Sequence, residues 1–371
     1  MLDKEKIMIL CKVVDNFGDI GVVYRLARSL SDARGGLELT LAVSNLESFQ
    51  ALCPKIDPGK AVQGFQYKDS RWKVVFWDEK LREDEIPSII LECFQCGRPD
   101  WLEETLFAPD FTRTVQIINI DYLTAEDYAD EFHLLKSGTR KANIKKIFFM
   151  PGFTDKTGGL IFNETPLPAK KSSGSYDIFF FAYEDDPEAV VKGIKDFQKN
   201  MREQQEDFSV TVHVAAGKSS SPFLKCWQDS GSPFLIKKLP FMPQEEFDSF
   251  IQGMDFLFVR GEDSLARAAL TGLPFVWQAY KQDENYQLVK VNALLERMAD
   301  SFQKEDFEPI RSFWQNYNDY ERKTESDDLT KMLTLCVQGK GVAGFADFAA
   351  KIRKNGNLAE HLLDFIDSLD F

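Results

Sequence analysis

The sequence predicts an α/β protein made of two doubly wound halves. Short apolar runs alternate with helical stretches along most of the chain, which argues parallel strands joined by crossover helices. At 371 residues the chain is about twice the length of a typical domain. Near its middle, Thr157–Ser175 gathers two adjacent glycines, two prolines and a Ser-Ser-Gly-Ser run, a composition suited to a hinge. Residues 1–160 and 176–354 are therefore expected to form Rossmann-like domains, with 161–175 as linker. A C-terminal helix over about 355–371 is expected to pack back on the first domain.

In chain order, the apolar run Ile7–Val14 predicts a buried strand that ends in Asp15-Asn16-Phe17-Gly18-Asp19-Ile20-Gly21. A helix follows over Gly21–Ser31, with Val22, Leu26 and Leu30 on one face and Gly35-Gly36 as its stop. Strands are expected at Leu39–Val43, Lys73–Trp77, Ser88–Glu92, Thr114–Ile120 and Lys145–Met150, with a helix at Leu46–Leu52. Thr124 followed by Asp127 has the pattern of a helix capping box. In the second half, strands are expected at Tyr176–Ala182, Ser209–Ala215, Phe234–Leu239, Met254–Val259 and Leu273–Gln278. Helices are expected after Glu184-Asp185-Asp186-Pro187 and over Gln244–Gln252, Leu265–Leu270, Asn285–Met298 and Asn357–Phe371. The last places Leu358, Leu362, Phe365 and Leu369 on one face.

Composition narrows the function. A net charge of −14 argues against a duplex nucleic acid partner, because such binding leans on Lys and Arg neutralising phosphates. An anionic small ligand remains compatible where a local pocket overrides the global field. No apolar run approaches the roughly 18 residues of a membrane helix, and the start Met-Leu-Asp-Lys-Glu-Lys is not a signal segment. A cytoplasmic protein that does not bind membranes is expected. The six cysteines include one Cys-x-x-Cys, Cys93 and Cys96, with no second pair at zinc spacing, so core thiols are the expected role. With only three histidines, carboxylates must carry most proton transfer. The 32 phenylalanines supply core area and flat faces on which a ring can stack.

Two stretches carry chemistry. In the first, Gly18 and Gly21 permit a sharp turn and close ligand approach, while Asp15 and Asp19 are suited to acid/base work. A tight turn in which both acids merely cap the next helix stands as the alternative. In the second, a strand runs into Arg260-Gly261-Glu262-Asp263-Ser264 and then a helix. Free N–H groups at that helix start, with Arg260 and the Ser264 hydroxyl, suit a phosphate, and the acids suit sugar hydroxyls. The alternative here is a capped helix with an internal Arg–Asp pair. The acidic trio Glu184-Asp185-Asp186 fits either a metal or simple helix capping. A carboxylate loop in one half and a phosphate loop in the other, joined by a hinge, describe a GT-B glycosyltransferase whose two domains face each other across a cleft. No metal is expected, since helix dipole and Arg260 can take the leaving diphosphate.

The motifs also resemble one family. Asp15–Gly21 with Arg25-Leu26-Ala27-Arg28, and Pro151-Gly152-Phe153-Thr154 with Lys156-Thr157-Gly158-Gly159, look like its signatures. Leu239-Pro240-Phe241, Phe258–Ser264 and Pro274-Phe275-Val276-Trp277-Gln278 match as well, all in the order of the EarP family. The resemblance implies a protein-arginine rhamnosyltransferase that moves L-rhamnose from dTDP-β-L-rhamnose to an arginine of translation elongation factor P. It further implies an inverting, metal-independent reaction giving an α-linkage. Asp19 resembles the catalytic carboxylate, with Asp15 supporting it and Glu262 as the essential acid of the donor domain. Asn16, Phe17, Gly18 and Gly21 belong to the same substrate loop. Arg260, Gly261, Asp263 and Ser264 match donor contacts, and Phe181, Tyr183, Phe241, Gln244 and Tyr280 resemble nucleotide-side residues. Many relatives carry His-Ile-Tyr-Pro where this chain has Gln278-Ala279-Tyr280-Lys281. A GT-B enzyme with another acceptor and a non-catalytic nucleotide-sugar binder are the rival readings.

Overall fold

The computed structural model describes residues 4–14, 17–163 and 175–369. The chain divides into two compact units: Met1–Glu164 with Ile352–Phe371, and Thr165–Lys351.

The first unit begins with β1 (Lys6–Cys11), α1 (Gly18–Ala33), β2 (Glu38–Val43), α2 (Leu46–Leu52), β3 (Val62–Tyr67) and β4 (Ser70–Phe76). It continues with β5 (Ile89–Cys93), α3 (Asp100–Phe107), β6 (Val115–Ile120), α4 (Tyr128–Phe132), β7 (Lys136–Ser137) and β8 (Ile144–Phe149). Among the described residues the sheet order is β3-β4-β2-β1-β5-β6-β8-β7. Only the edge strands β3 and β7 pair antiparallel. Counting the parallel strands β1, β2, β4, β5, β6 and β8 as one to six turns this order into 3-2-1-4-5-6, that of a Rossmann domain.

Alternation along β1 explains how the sheet is covered. Ile7, Ile9 and Cys11 enter one apolar core with α1, while Met8 and Leu10 enter the other with Trp101 and Leu102 of α3. A parallel strand needs both faces buried, and a continuous apolar run supplies that. The run outlasts the strand, however: Val14 is 81% exposed and lies in the loop. The helix also starts earlier than expected, at Gly18, so both glycines lie inside α1. Thr124 and Asp127 do not form a capping box. The Thr124 hydroxyl instead accepts the Glu126 N–H and donates to its carboxylate, a local turn that leaves Asp127 without a side-chain cap bond.

The second unit contains β9 (Tyr176–Phe180), α5 (Glu188–Arg202), β10 (Val210–Val214), α6 (Ser220–Asp229), β11 (Leu235–Lys238) and α7 (Gln244–Ile251). Then come β12 (Phe256–Arg260), α8 (Glu262–Thr271), β13 (Phe275–Gln278), α9 (Tyr286–Ala299), α10 (Lys304–Asn318), α11 (Ser326–Val337) and α12 (Lys340–Lys354), whose end from Ile352 onward belongs to the first unit. Its sheet is wholly parallel, β11-β10-β9-β12-β13, which is 3-2-1-4-5 in strand order within the unit.

The chain closes with α13 (Leu358–Asp367), whose Leu358, Leu362, Leu363 and Ile366 lie in the same core as Val23, Leu26 and Leu30 of α1. Asn357 caps α13 by accepting the Ala359 N–H at 3.2 Å and donates to the Phe162 carbonyl at 2.9 Å. Gly159 makes the close approach possible: its φ is +79°, and a Cβ there would sit 2.6 Å from the Gly356 oxygen. No helix among the described residues is long and apolar enough to cross a membrane. The linker expected over 161–175 falls mostly outside the described residues.

His133, before β7, packs edge-on against Phe149 and accepts the Met150 N–H on Nδ1 at 3.1 Å. Burial, with nearby His361, pushes its pKa from the usual 6.5 to about 4. The folded state therefore prefers the neutral ring, and the unfolded chain binds a proton first as pH falls. The stability this confers is complete above about 6.5 and is lost between 6.5 and 4. Urea unfolding should show a smaller fall in stability from pH 7 to pH 5 in His133→Asn than in the parent; an equal or steeper fall would contradict the assignment.

Candidate functional site

In an open α/β sheet, ligands bind beyond the carboxyl ends of the strands, where strand order reverses. In the first unit that point lies between β1 and β5, and in the second between β9 and β12. Both stretches singled out in the sequence fall there.

At the first point, Asp19 is the second residue of α1 and is 5% exposed. It does not cap its own helix. Phe17 occupies the N-cap position with no side-chain cap bond, and Asp19 Oδ2 instead accepts the Val14 N–H at 2.8 Å. The carboxylate thus ties the strand end to the helix start, a role that the capping alternative did not foresee. Phe17 is 43% exposed, Gly18 is exposed and Gly21 is buried. Asp15 and Asn16 lie outside the described residues. Beneath the loop, burial and then the Asp19 charge push the Cys11 thiol well above its ordinary pKa. Cys96 is raised to about 11, chiefly by burial, and all six cysteines are free thiols. Cys11, Cys53, Cys93 and Cys336 are buried, while Cys96 and Cys226 are half-buried.

Across the switch point, the turn after β5 places Phe94 and Gln95 at φ of +58° and +51°, uncommon for non-glycine residues. It is held by a Gln95–Asp121 bond of 2.9 Å and by Phe94 stacked on Tyr122 at 4.7 Å. Sequence reasoning passed over this turn, because nothing in the residue types announces two consecutive left-handed positions.

At the second point, the Arg260 guanidinium lies 4.6 Å from the ring centres of both Phe181 and Tyr183. These two rings come from the loop after β9, the neighbour of β12. Tyr183 in turn meets Tyr280 edge-on at 5.4 Å, and Tyr280 is 68% exposed. Gly261 has φ 69° and ψ 179°, a combination essentially restricted to glycine, and so aims the N-terminus of α8. Glu262, Asp263 and Ser264 form the first turn of that helix. Asp263 also lies 3.9 Å from Arg267, so the internal Arg–Asp pair exists but involves Arg267 and leaves Arg260 between its rings. Phe241, 48% exposed, and buried Gln244 stand where β11 runs into α7, on the same carboxyl edge. The acidic trio before α5 behaves as a cap: Asp185 Oδ1 accepts the Asp186 N–H and Asp186 Oδ1 the Glu188 N–H. Among the described residues no group of three or more His, Cys, Asp or Glu is arranged to hold a metal.

This geometry can hold a diphosphate. The N–H groups at the start of α8, the helix dipole and the Arg260 guanidinium lie on one edge, beside rings able to stack on a base. The family model described as Elongation-Factor P (EF-P) rhamnosyltransferase EarP matches residues 7–176 and 169–367. The chain belongs to the EarP family. Among relatives, a protein-arginine rhamnosyltransferase of Shewanella oneidensis is 30% identical over 358 residues, covering 84% of this chain and 89% of that protein. One from Pseudomonas putida is 30% identical over 344 residues, covering 84% and 86%. A solved structure concerned with EarP-mediated arginine glycosylation of translation elongation factor EF-P is similar over 98% of this chain and 99% of that one, at TM-score 0.58 and 21% identity. The spinosyn rhamnosyltransferase SpnG complexed with thymidine diphosphate is similar over 97% and 99%, at TM-score 0.52 and 9% identity. Two Rossmann-like domains of this kind are the GT-B glycosyltransferase fold.

The backbone at Gly261 gives a direct check. Gly261→Ala should destabilise the second unit by about 1–3 kcal/mol, the strain of a side chain in that region. A chemical-denaturation midpoint equal to that of the parent would show the conformation is not required.

Proposed function

We propose that this EarP-family chain transfers L-rhamnose from dTDP-β-L-rhamnose to one arginine side chain of translation elongation factor P. The reading is an inverting reaction that yields α-rhamnosyl-arginine and uses no metal cofactor. The observation that carries it is Arg260 held 4.6 Å from the rings of both Phe181 and Tyr183 at the glycine-defined start of α8, in a chain of this family.

The donor side follows from charge. As the bond from sugar to diphosphate breaks, negative charge builds on the leaving oxygen. Arg260 and the amides opening α8 are already oriented for it, which is why no metal is needed for charge neutralisation. Ser264 and the Gly261 amide add hydrogen bonds, and Glu262 and Asp263 accept from sugar hydroxyls. Phe241, Gln244 and Tyr280 serve the nucleoside.

The acceptor side is harder chemically. A guanidinium has no free lone pair, and removing its proton near pH 7 costs about 8–9 kcal/mol. A carboxylate cannot do this in advance. Asp19, with Asp15, hydrogen-bonds the guanidinium and fixes its plane. Asp19 then takes the proton as the C–N bond forms on the face opposite the leaving diphosphate. The same negative charge favours the oxocarbenium-like sugar. Phe17, Gly18, Gly21 and Asn16 shape the loop around it.

Two substitutions separate these roles. Asp19→Asn should leave dTDP affinity within about 2-fold and lower turnover by at least about 100-fold, the scale of a lost general base. Near-normal turnover in a folded Asn variant would remove Asp19 from the chemistry. Arg260→Ala should weaken dTDP binding by more than about 10-fold, as expected when a charge-assisted contact is lost. Unchanged affinity by calorimetry would take Arg260 out of the donor site.

A further inference from the structure

The edge strand β13 is bonded through its side chains to the loop after β12 and to the loop after β9. Trp277 Nε1 donates to the Gly261 carbonyl at 3.0 Å. Gln278, 1% exposed and paired in register with Arg260, accepts the Tyr183 N–H on Oε1 at 2.7 Å. The backbone on either side of Gln278 is pinned by Asn318 at the end of α10, which is fully buried. Asn318 Oδ1 accepts the Ala279 N–H at 2.8 Å, and its Nδ2 donates to the Trp277 carbonyl at 2.9 Å. The Gln278 backbone is therefore held on both sides, and its buried side-chain oxygen meets the Tyr183 amide.

We infer that Gln278 is a positioning residue for the nucleoside diphosphate: by holding the Tyr183 backbone it sets the ring that clamps Arg260. The inference rests on the donor-site reading of Arg260. The path is short and continuous. Asn318 fixes β13, Gln278 fixes the Tyr183 amide, and the Tyr183 ring lies 4.6 Å from the guanidinium. Phe181 lies at the same 4.6 Å from the guanidinium, so losing the Tyr183 contact leaves one ring to hold it, lets it swing on its flexible stem and blunts its aim at the phosphates. An amide also suits the position electrically. It accepts the backbone N–H without a titrating proton, so the clamp should hold unchanged across the neutral pH range.

The test is a double-substitution cycle read by dTDP calorimetry on the full chain. Gln278→Met keeps the volume and removes the acceptor; it should weaken dTDP binding about 5–10-fold, the scale of one lost hydrogen bond. In an Arg260→Ala background the same change should shift affinity by less than about 2-fold, because nothing remains to aim. Should Gln278→Met fail to fold, Gln278→Asn keeps the amide but shortens its reach, and the same non-additive pattern is expected. Equal effects of the Gln278 change in both backgrounds would overturn the inference, as would unaltered affinity in a folded Gln278 variant. If Arg260→Ala itself leaves dTDP affinity unchanged, the donor-site reading fails and this inference falls with it. A loss at Arg260 without coupling to Gln278 removes only the inference.

Discussion

Parallel pairing makes every strand of a doubly wound sheet end on the same edge, and each helix that follows opens its N–H groups there. The second unit obeys this without exception among its described strands, and the first departs from it only at β3 and β7 on the sheet edges. Once strand order reverses between β1 and β5, and between β9 and β12, a crevice exists in each unit before any functional residue is chosen. Asp19 and Arg260 are what the chain places there.

Placement alone would leave Arg260 a flexible side chain among solvent. Two rings at 4.6 Å, a glycine in a conformation closed to other residues, and a buried strand bonded to both loops turn it into an oriented donor. A guanidinium held against aromatic rings can still present its N–H fork for planar recognition of phosphate oxygens. Asp19 is held differently, through the Val14 amide, so its position follows the strand end itself.

Much of this was legible from residue order. The buried strands are rich in apolar and β-branched residues, and β1, β2, β5, β6 and β12 lie close to where those runs stand. The two ligand loops could be found because strand, glycine turn and helix follow in a compact pattern. Their supports could not. Asn318 reaches Ala279 from 39 residues away, and no local periodicity encodes such a bond. The segment after α9 went unassigned: Pro309 lies inside α10, while the helical spacing of Leu329, Met332, Leu333 and Cys336 in α11 was a signal that could have been read. β3 was missed because its alternate residues face water and its sequence, Val-Gln-Gly-Phe-Gln-Tyr, gains order only by pairing with β4. The glycines were misjudged in one respect. Gly18 and Gly21 suggested a turn, yet both lie within α1.

The central proposal is that this EarP-family chain glycosylates an arginine of a folded protein, with Asp19 serving the acceptor and Arg260 the donor. The most direct measurement is the intact mass of purified elongation factor P after incubation with this chain and dTDP-β-L-rhamnose, followed by fragmentation to locate the adduct. The account predicts a gain of one deoxyhexose, confined to a single arginine. No gain on a correctly folded acceptor, or a sugar carried on another residue type, would contradict it.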